Sequence, residues 1–141
     1  MTDCILCEVI NSRDAVVLHE SKYSLCIFDL YPATKGHLLI LPKQHIEQLH
    51  LIDDVNLQND LFDMLVTVCR WLEESHFCMA YNIVQSNGPL ADQDIRHVHF
   101  HVIPRYEDDG IVIALNEHTE RADRETLQAI CSIIKLGNIQ K

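Results

Sequence analysis

The chain has 141 residues, of which 48% are hydrophobic and 23% are charged. This size and composition predict a single domain over residues 1–141, and they exclude a disordered tail, a collagen-like repeat and a multidomain assembly. Eleven lysines and arginines stand against 21 aspartates and glutamates, which gives a formal net charge of -10. Because such an acidic surface repels a phosphate backbone, we expect no DNA or RNA partner.

The sequence shows no sign of a membrane span or a secretion signal. No apolar run approaches the ~18 residues that suggest a membrane span. The first residues lack the basic start and apolar stretch of a signal peptide. We therefore expect a cytoplasmic protein with no membrane partner.

The first third of the chain predicts one short helix and three strands. Residues 4–11 are suited to a short helix. Two short apolar or alternating runs at 15–19 and 23–28 predict a hairpin. A third strand is predicted at 37–41, where Pro42 ends it.

The rest of the chain predicts a long helix, two strands and a C-terminal helix. Apolar residues recur at steps of three and four along one stripe, at Leu57, Leu61, Met64, Val68 and Leu72. Strands are predicted at 79–84 and 97–103, and Asp123 is placed to cap a helix running through Lys135, with Gly137 just beyond its end. These elements predict an α+β fold, a five-stranded antiparallel sheet packed with one long and one C-terminal helix.

The segment from His97 to Arg105 carries a histidine at every second position up to residue 101. Since side chains alternate between the two faces of a strand, His97, His99 and His101 share one face, and the apolar residues between them can anchor the strand. Three interpretations are open: solvated side chains, a metal site that uses His99 and His101, or a nucleophilic middle imidazole. The spacing alone does not separate the metal site from the nucleophile.

The loop before the histidines, residues 87–96, supplies Gly, Asn and Gln, which can offer backbone and amide donors to an anion. Together with the His-x-His-x-His pattern, this loop resembles the histidine triad (HIT) hydrolases, a family of nucleotide-binding enzymes, and in particular a bacterial-type member. Three further stretches are similar to the family, namely Cys4-Ile5-Leu6-Cys7, Phe28-Asp29-Leu30-Tyr31-Pro32 and residues 35–45. The resemblance covers nearly the whole chain and implies the HIT-like fold.

By this resemblance, His99 is the nucleophile that attacks the α-phosphorus of a nucleotide. A nucleotidyl-imidazole then forms, and water hydrolyses it. A proton held on Nδ1 by a backbone carbonyl would leave the Nε2 lone pair for phosphorus. Donors aimed at the α-phosphate would stabilise the charge that develops there, and the candidates are Gln93 and His101, with Asn87 as a further one.

The resemblance also implies two supporting residues and a base pocket. His37 falls where the family has a histidine that orients the site. Asp29 matches the acidic position that accepts hydrogen bonds from ribose hydroxyls, and Phe28 and Leu30 would line the base pocket.

One loop departs from the family pattern. Asp92 stands where many members have glycine, and Asp94 adds a second carboxylate. A carboxylate close to the α-phosphate is repulsive unless it points to solvent or pairs with Arg96. The departure concerns rate and substrate preference more than the class of reaction.

The pair Cys4 and Cys7 has the spacing of a zinc site, although four ligands are normal for a closed structural site. By resemblance to zinc-bearing members, the other two ligands would be His45 and His97, and His99 would remain available for chemistry. The alternatives are two helix cysteines without a metal and a redox pair. The expectation is a structural zinc ion and no organic cofactor.

The resemblance thus implies a homodimeric HIT hydrolase that acts on nucleoside phosphate derivatives. The Pro104-Arg105-Tyr106 ending favours dinucleoside polyphosphates such as diadenosine tetraphosphate. The alternatives are an adenosine 5'-phosphoramidate hydrolase, a nucleotide-binding regulatory module with little turnover, and a zinc-dependent hydrolase with the histidines as ligands.

Overall fold

The computed structural model describes residues 3–115 and 120–139, with side chains up to residue 137. The chain divides into two compact units, Met1–Gly110 and Ile111–Lys141. The expectation of one domain stays a prediction. No helix of the described residues is long and apolar enough to cross a membrane, and the cytoplasmic location also stays a prediction.

The first unit is built from two helices and one sheet. In chain order its elements are α1 (Ile5–Ser12), β1 (Val17–Glu20), β2 (Ser24–Phe28), β3 (Leu38–Pro42), α2 (Val55–Glu74), β4 (Tyr81–Gln85) and β5 (Phe100–Pro104). The strands pair antiparallel in the order β1-β2-β3-β5-β4. This confirms the predicted α+β class, the hairpin and the five-stranded antiparallel sheet.

The two helices lie on opposite faces of the sheet, and the alternation of the strands decides which side chains meet each helix. The predicted stripe of α2 is buried, and it packs against Cys26, Leu38 and Val102. On the other face, α1 buries Leu6 in a second cluster with residues such as Leu39. Each face thus has its own apolar core, and the histidine face is the one that α1 partly covers.

Several predicted strand limits were wrong by one to three residues. β5 begins at Phe100 instead of His97, β4 begins at Tyr81 instead of Met79, and β3 runs from Leu38 through Pro42. Before β5, the carbonyl of His97 accepts from the His99 side chain and the N–H of Val98 donates to the carbonyl of Ile46 at 2.7 Å. The residues before Phe100 are therefore held by bonds outside the sheet ladder.

The second unit contains α3 (Arg124–Ile139). Asp123 caps this helix as predicted, since its Oδ1 accepts from the backbone N–H of Thr126 at 3.1 Å. The predicted end at Lys135 was wrong, because the helix continues through Gly137. Glycine ends a helix when it adopts the left-handed conformation, and Gly137 is not among the glycines with a positive φ.

Candidate active site

The three histidines of residues 97–101 lie on the sheet face opposite α2. The side chains between them, Val98 and Phe100, belong to the core beneath α2, so the predicted alternation holds even where the segment is outside β5. His97 has no exposed surface and His99 is only 4% exposed. The interpretation of the row as solvated side chains is therefore wrong.

The His99 ring is held with a defined proton. Its Nδ1 lies 2.7 Å from the carbonyl oxygen of His97. Because a carbonyl only accepts, Nδ1 carries the hydrogen, and in the neutral ring the lone pair is on Nε2. This is the arrangement that a nucleophilic imidazole requires, and the Oδ1 of Asp94 lies 3.7 Å from that Nε2.

A backbone N–H sets the proton positions of His37 and His101. The N–H of Ala33 donates to Nδ1 of His37 at 3.0 Å, so the neutral His37 carries its proton on Nε2. That Nε2 lies 2.9 Å from Nδ1 of His101 and donates to it. His101 therefore carries its own proton on Nε2. The centroids of the His101 and His99 rings are 4.9 Å apart. The relay makes His101 a hydrogen-bond donor beside His99.

This relay argues against a metal at His37 and His101, although these two residues and Asp29 form one group with metal-ligand spacing. A ligating nitrogen must present a lone pair, but Nε2 of His37 bears the proton that it donates to His101. Among residues 3–115 and 120–139, no group with metal-ligand spacing joins His99 to His101. The interpretation of His99 and His101 as a metal site thus finds no support in the described residues.

Burial lowers the pKa of three histidines of this site, His37, His97 and His101, and so favours their neutral forms. Burial, followed by the neighbouring His99 and His37 rings, lowers the pKa of His101 to about 4. Burial also lowers the pKa of His37 and of His97. A neutral His101 with a single hydrogen fits the relay, because a second hydrogen on Nδ1 would face the hydrogen of His37.

The pKa of His101 predicts how folding stability depends on pH. The group is depressed from 6.5 to about 4 on folding, so the unfolded chain binds the extra proton between these values and stability falls as pH drops from 6.5 toward 4. After discounting for the partial exposure of the ring, we expect His101 to account for about 1 kcal/mol of the loss between pH 7 and pH 5. Urea denaturation of the wild type and of His101→Asn at pH 7 and pH 5 measures this change in the free energy of unfolding.

Asparagine is the matched substitution, because its Oδ1 replaces Nδ1 as the acceptor for His37 without a titratable group. We expect the His101→Asn variant to lose about 1 kcal/mol less than the wild type between the two pH values. An equal loss in both proteins would contradict the assignment of this titration to His101.

Gln93 supports the loop instead of facing the site. Its Oε1 accepts from the N–H of Gly88 at 2.8 Å, and its Nε2 donates to the carbonyls of Glu47 at 2.7 Å and Ile95 at 3.0 Å. An amide has two hydrogens, and both are used by these carbonyls. The structure thus corrects the predicted role of Gln93 as a direct phosphate donor, because in this arrangement it has no hydrogen left for phosphate.

Asn87 is also tied into the loop. Its Oδ1 accepts from the N–H of Leu49 at 2.8 Å, and its Nδ2 donates to the side chain of Gln85. Nearby, Asp92 adopts the left-handed conformation with φ 59°, which is the conformation that a glycine there would favour. The loop therefore adopts its turn with Asp92 at the position where many family members have glycine. The role of Asn87 in binding phosphate stays a prediction.

Of the residues predicted to bind the nucleoside, Asp29 lies beside the histidines, whereas Phe28 lies on the other face of the sheet. Asp29 lies beside the histidines, with Oδ1 accepting from the N–H of Tyr31 at 2.8 Å and Oδ2 3.7 Å from Nε2 of His37. Phe28 packs against the core beneath α2, so it cannot line a pocket on the histidine face. The correction follows from alternation, which puts Ile27 on that face, in the cluster that α1 covers.

Cys4, Cys7, His45 and His97 form a second group, in which all ligand atoms lie within 4.8 Å of one another. Nδ1 of His97 lies 3.5 Å from Sγ of Cys4 and 3.4 Å from Sγ of Cys7, and Nδ1 of His45 lies 3.2 Å from Sγ of Cys7. In a tetrahedral zinc site, sulfur and nitrogen ligands are about 3.5 Å apart. The predicted set therefore has the spacing of a zinc site.

The hydrogen bonds around this group also leave the correct nitrogen for a metal. Nε2 of His97 lies 2.8 Å from the carbonyl of Pro42 and must donate to it. The lone pair of the neutral ring is then on Nδ1, which faces both sulfurs. Cys4 lies at the N-cap of α1, where its Sγ accepts from the N–H of Cys7. The helix start thus positions both thiols.

The partners of these rings are mostly backbone atoms. The sequence predicted a backbone carbonyl at Nδ1 of His99, but it did not show which residue supplies it, nor the partners of His37 and His97. The backbone partners are the N–H of Ala33 and the carbonyls of Pro42 and His97. Thr34 adds a further tie, since its buried hydroxyl donates to the carbonyl of Pro104 at 2.6 Å and fixes the turn before His37 to the end of β5. No sequence signal marks a backbone atom, so these partners needed the structure.

Comparison with known proteins identifies the family. A family model described as the HIT domain matches residues 11–108. The chain belongs to the HIT domain family. The matched range holds His37, His45 and the three histidines of residues 97–101, whereas Cys4 and Cys7 precede it.

Relatives of this HIT protein span archaea, yeast and bacteria. An uncharacterized HIT-like protein of Methanocaldococcus jannaschii is 42% identical over 81% of this chain and 88% of its own length. The adenosine 5'-monophosphoramidase of Saccharomyces cerevisiae is 38% identical over 78% of this chain and 68% of its own. A crystal structure of a HIT family member from Bacillus subtilis aligns with a TM-score of 0.86 and 30% identity, covering 95% of this chain and 96% of that one. The bacterial-type, polyphosphate-cleaving branch stays a prediction.

Proposed function

We propose that this HIT protein is a nucleotide hydrolase of the phosphoramidase type, which cleaves the P–N bond at the α-phosphate of a nucleoside 5'-phosphoramidate through a covalent intermediate on His99. The observation that carries the proposal is the hydrogen bond from Nδ1 of His99 to the carbonyl of His97, at 2.7 Å. It directs the lone pair to Nε2, which is the condition for attack on phosphorus.

The named relatives support the choice of substrate. The Saccharomyces cerevisiae relative and a Schizosaccharomyces pombe relative, 34% identical, are both named adenosine 5'-monophosphoramidase. A relative from Arabidopsis thaliana, 28% identical, is named an adenylylsulfatase. These names share an adenosine phosphate joined to a small group without a second nucleotide.

The reaction proceeds in two displacements at phosphorus. In the first, Nε2 of His99 bonds to the α-phosphorus and the P–N bond breaks, so that the amine leaves with the bonding pair and takes a proton from water. In the second, water attacks phosphorus, the Nε2–P pair returns to the imidazole, and a proton goes back to solvent. The products are an amine and a nucleoside monophosphate, and the two proton exchanges balance.

Three neighbours are proposed to act on these steps. When His99 is substituted on Nε2, its ring becomes cationic, and the His97 carbonyl continues to accept from Nδ1. The Nε2–H of His101, set by the relay from Ala33, is the donor proposed for an α-phosphate oxygen. Asp29 is proposed to accept from a ribose hydroxyl with the lone pairs that Tyr31 leaves.

Cleavage of a dinucleoside polyphosphate is the second candidate. It rests on the Pro104-Arg105-Tyr106 ending, but Arg105 donates to both carboxylate oxygens of Asp109 and to Asn82. Nε of Arg96 lies 3.7 Å from a carboxylate oxygen of Glu47. Since both guanidinium groups already face carboxylates of this chain, they give weaker support for binding a polyphosphate than for a single α-phosphate.

We further propose that Cys4, Cys7, His45 and His97 hold a structural zinc ion. The ion would fasten the start of α1 to the segment before β5, and it would supply no chemistry to the reaction. The spacing of the four ligand atoms and the His97–Pro42 hydrogen bond support this proposal. A zinc-dependent hydrolase is the alternative, and it predicts that chelation abolishes turnover.

A homodimer is the proposed assembly. β4 is an edge strand of the sheet, and an antiparallel edge can pair with a second copy of itself. Exposed apolar side chains lie beside that edge on β4 and α2, including Ile83, Phe62 and Val66. Sedimentation velocity of the intact chain tests the proposal, because a monomer at micromolar concentration would contradict it.

The function is tested by giving the protein adenosine 5'-phosphoramidate and diadenosine tetraphosphate separately, with and without a chelator. We expect AMP and ammonia from the phosphoramidate, and an AMP adduct on His99 by mass spectrometry of rapidly quenched protein. Faster turnover of the tetraphosphate would favour the second candidate. Binding without turnover would favour a regulatory module, and activity lost with the metal, without an adduct, would favour the zinc hydrolase.

A further inference from the structure

Asp94 places a negative charge beside the atom that attacks phosphorus. Its Oδ1 lies 3.7 Å from Nε2 of His99, and its side chain is 73% exposed, so the carboxylate reaches the nucleophile from the solvent side. The nearest basic residue in sequence, Arg96, has its Nε 3.7 Å from Glu47. Of the two conditions that would make Asp94 harmless, exposure to solvent is met for most of the side chain, whereas the ion pair of Arg96 is with Glu47 and not with Asp94. One carboxylate oxygen nevertheless remains close to His99.

The same carboxylate lines a cavity. The cavity has a volume of about 460 Å³, and it is bounded by Asp3, Ile5, Asp94 and Arg96 among others. It offers space for a substituent on the leaving group, next to the carboxylates of Asp3 and Asp94 and the guanidinium of Arg96. Asp94 is thus shared between the point of attack and this space.

We propose that Asp94 selects the leaving group, favouring amines that carry a positive charge and disfavouring anionic ones. The inference rests on the proposed phosphoramidase function. A carboxylate oxygen accepts N–H bonds from an amine or an ammonium group, and it attracts a cation attached to that amine. The same charge repels a terminal carboxylate or a phosphate chain, which adds discrimination against the wrong partner.

The exposure of Asp94 limits the size of the effect. Solvent and salt screen a charge that is mostly exposed, so the preference is expected to be about tenfold between a cationic and a neutral leaving group. A carboxylate this close to Nε2 also faces the cationic His99 of the intermediate. That effect is common to all leaving groups, so it cancels in a ratio of kcat/KM values.

The test compares three AMP phosphoramidates that differ only at the end of the leaving amine. The amines are ethylenediamine, ethanolamine and β-alanine, which end in an ammonium, a hydroxyl and a carboxylate. For the wild type we expect kcat/KM to decrease in that order, with about tenfold between the first two. For Asp94→Asn we expect this ratio to fall to about twofold or less. Differences in intrinsic reactivity cancel because each substrate is compared with itself across proteins.

Asp92→Asn is the matched control. It removes the same charge from the same loop, and asparagine tolerates the left-handed conformation that Asp92 adopts at φ 59°. We expect this variant to keep the preference of the wild type. A loss of preference in both variants would attribute the effect to net charge and overturn the proposal.

The possible failures are distinguishable. If Asp94→Asn slows all three substrates equally, the ratio is unchanged, and the carboxylate does not select the leaving group. If neither protein releases AMP from any of the three, and no adduct forms on His99, the proposed function itself fails. Hydrolysis with an adduct but with the same ratios in wild type and Asp94→Asn overturns the inference alone.

Discussion

Replacing His99 by asparagine is expected to lower kcat for adenosine 5'-phosphoramidate by at least ~10³-fold, because the variant has no nucleophilic nitrogen to bond to phosphorus. The Asn side chain can still donate an N–H to the carbonyl of His97, as Nδ1 of His99 does. We therefore expect the fold to be retained and the affinity for AMP to change little. Steady-state kinetics measures kcat, AMP titration measures the affinity, and mass spectrometry shows whether the covalent adduct still forms.

A His-to-Asn change outside the site provides the control. His76 is exposed after α2 and has a φ of 59°, which asparagine accepts. We expect His76→Asn to keep the activity of the wild type. Turnover of the His99→Asn variant within a factor of about ten of the wild type would remove the covalent mechanism.

Serine in place of Cys7 is expected to remove zinc from the protein and to lower the thermal midpoint by about 10 °C, because about 3 kcal/mol of metal-linked stability is lost. Cys7 is central to the group, since its Sγ lies 3.2 Å from Nδ1 of His45 and 3.4 Å from Nδ1 of His97. Metal analysis after dialysis and a thermal melt are the measurements. A chelator should produce the same shift in the wild type.

Cys131→Ser is the matched control, because Cys131 is exposed and does not belong to the group. We expect it to keep both the metal and the midpoint. Since the proposed ion does not take part in the reaction, chelated wild type should still form the His99 adduct below its lowered midpoint. If chelation removes the metal from the wild type but leaves its thermal midpoint unchanged, the proposed zinc ion has no structural role.

Much of the fold could be predicted because it depends on local periodicity. The stripe from Leu57 to Leu72 needs only the helical repeat to become the buried face of α2. Strand ends were predicted less well, since they depend on partners that are distant in sequence. β5 begins only at Phe100, and before it the His97 carbonyl bonds to the His99 side chain and the Val98 N–H bonds to Ile46. Strand periodicity contains no information about those bonds.

Some features of the site were also predicted from local sequence pattern, and others depended on residues that are distant in sequence. The alternation of histidine and apolar residues from His97 onward was enough to put the imidazoles on one face, and the structure agrees. The role of Gln93 was predicted wrongly from residue type, because an amide suited to bind phosphate is equally suited to bind backbone carbonyls. Only the three-dimensional proximity of Gly88, Glu47 and Ile95 shows which acceptors it uses.

The amino-acid sequence by itself determined the family resemblance, the shared sheet face of the histidines and the Cys4–Cys7 pair, and the resemblance implied His45 and His97 as the other two zinc ligands. The tertiary structure decided which nitrogen of each ring carries a proton. A neutral imidazole has one hydrogen for two nitrogens, and the partner facing each nitrogen settles its position. Those partners are backbone atoms of Ala33, Pro42 and His97, and only folding brings Ala33 and Pro42 to the histidines they face.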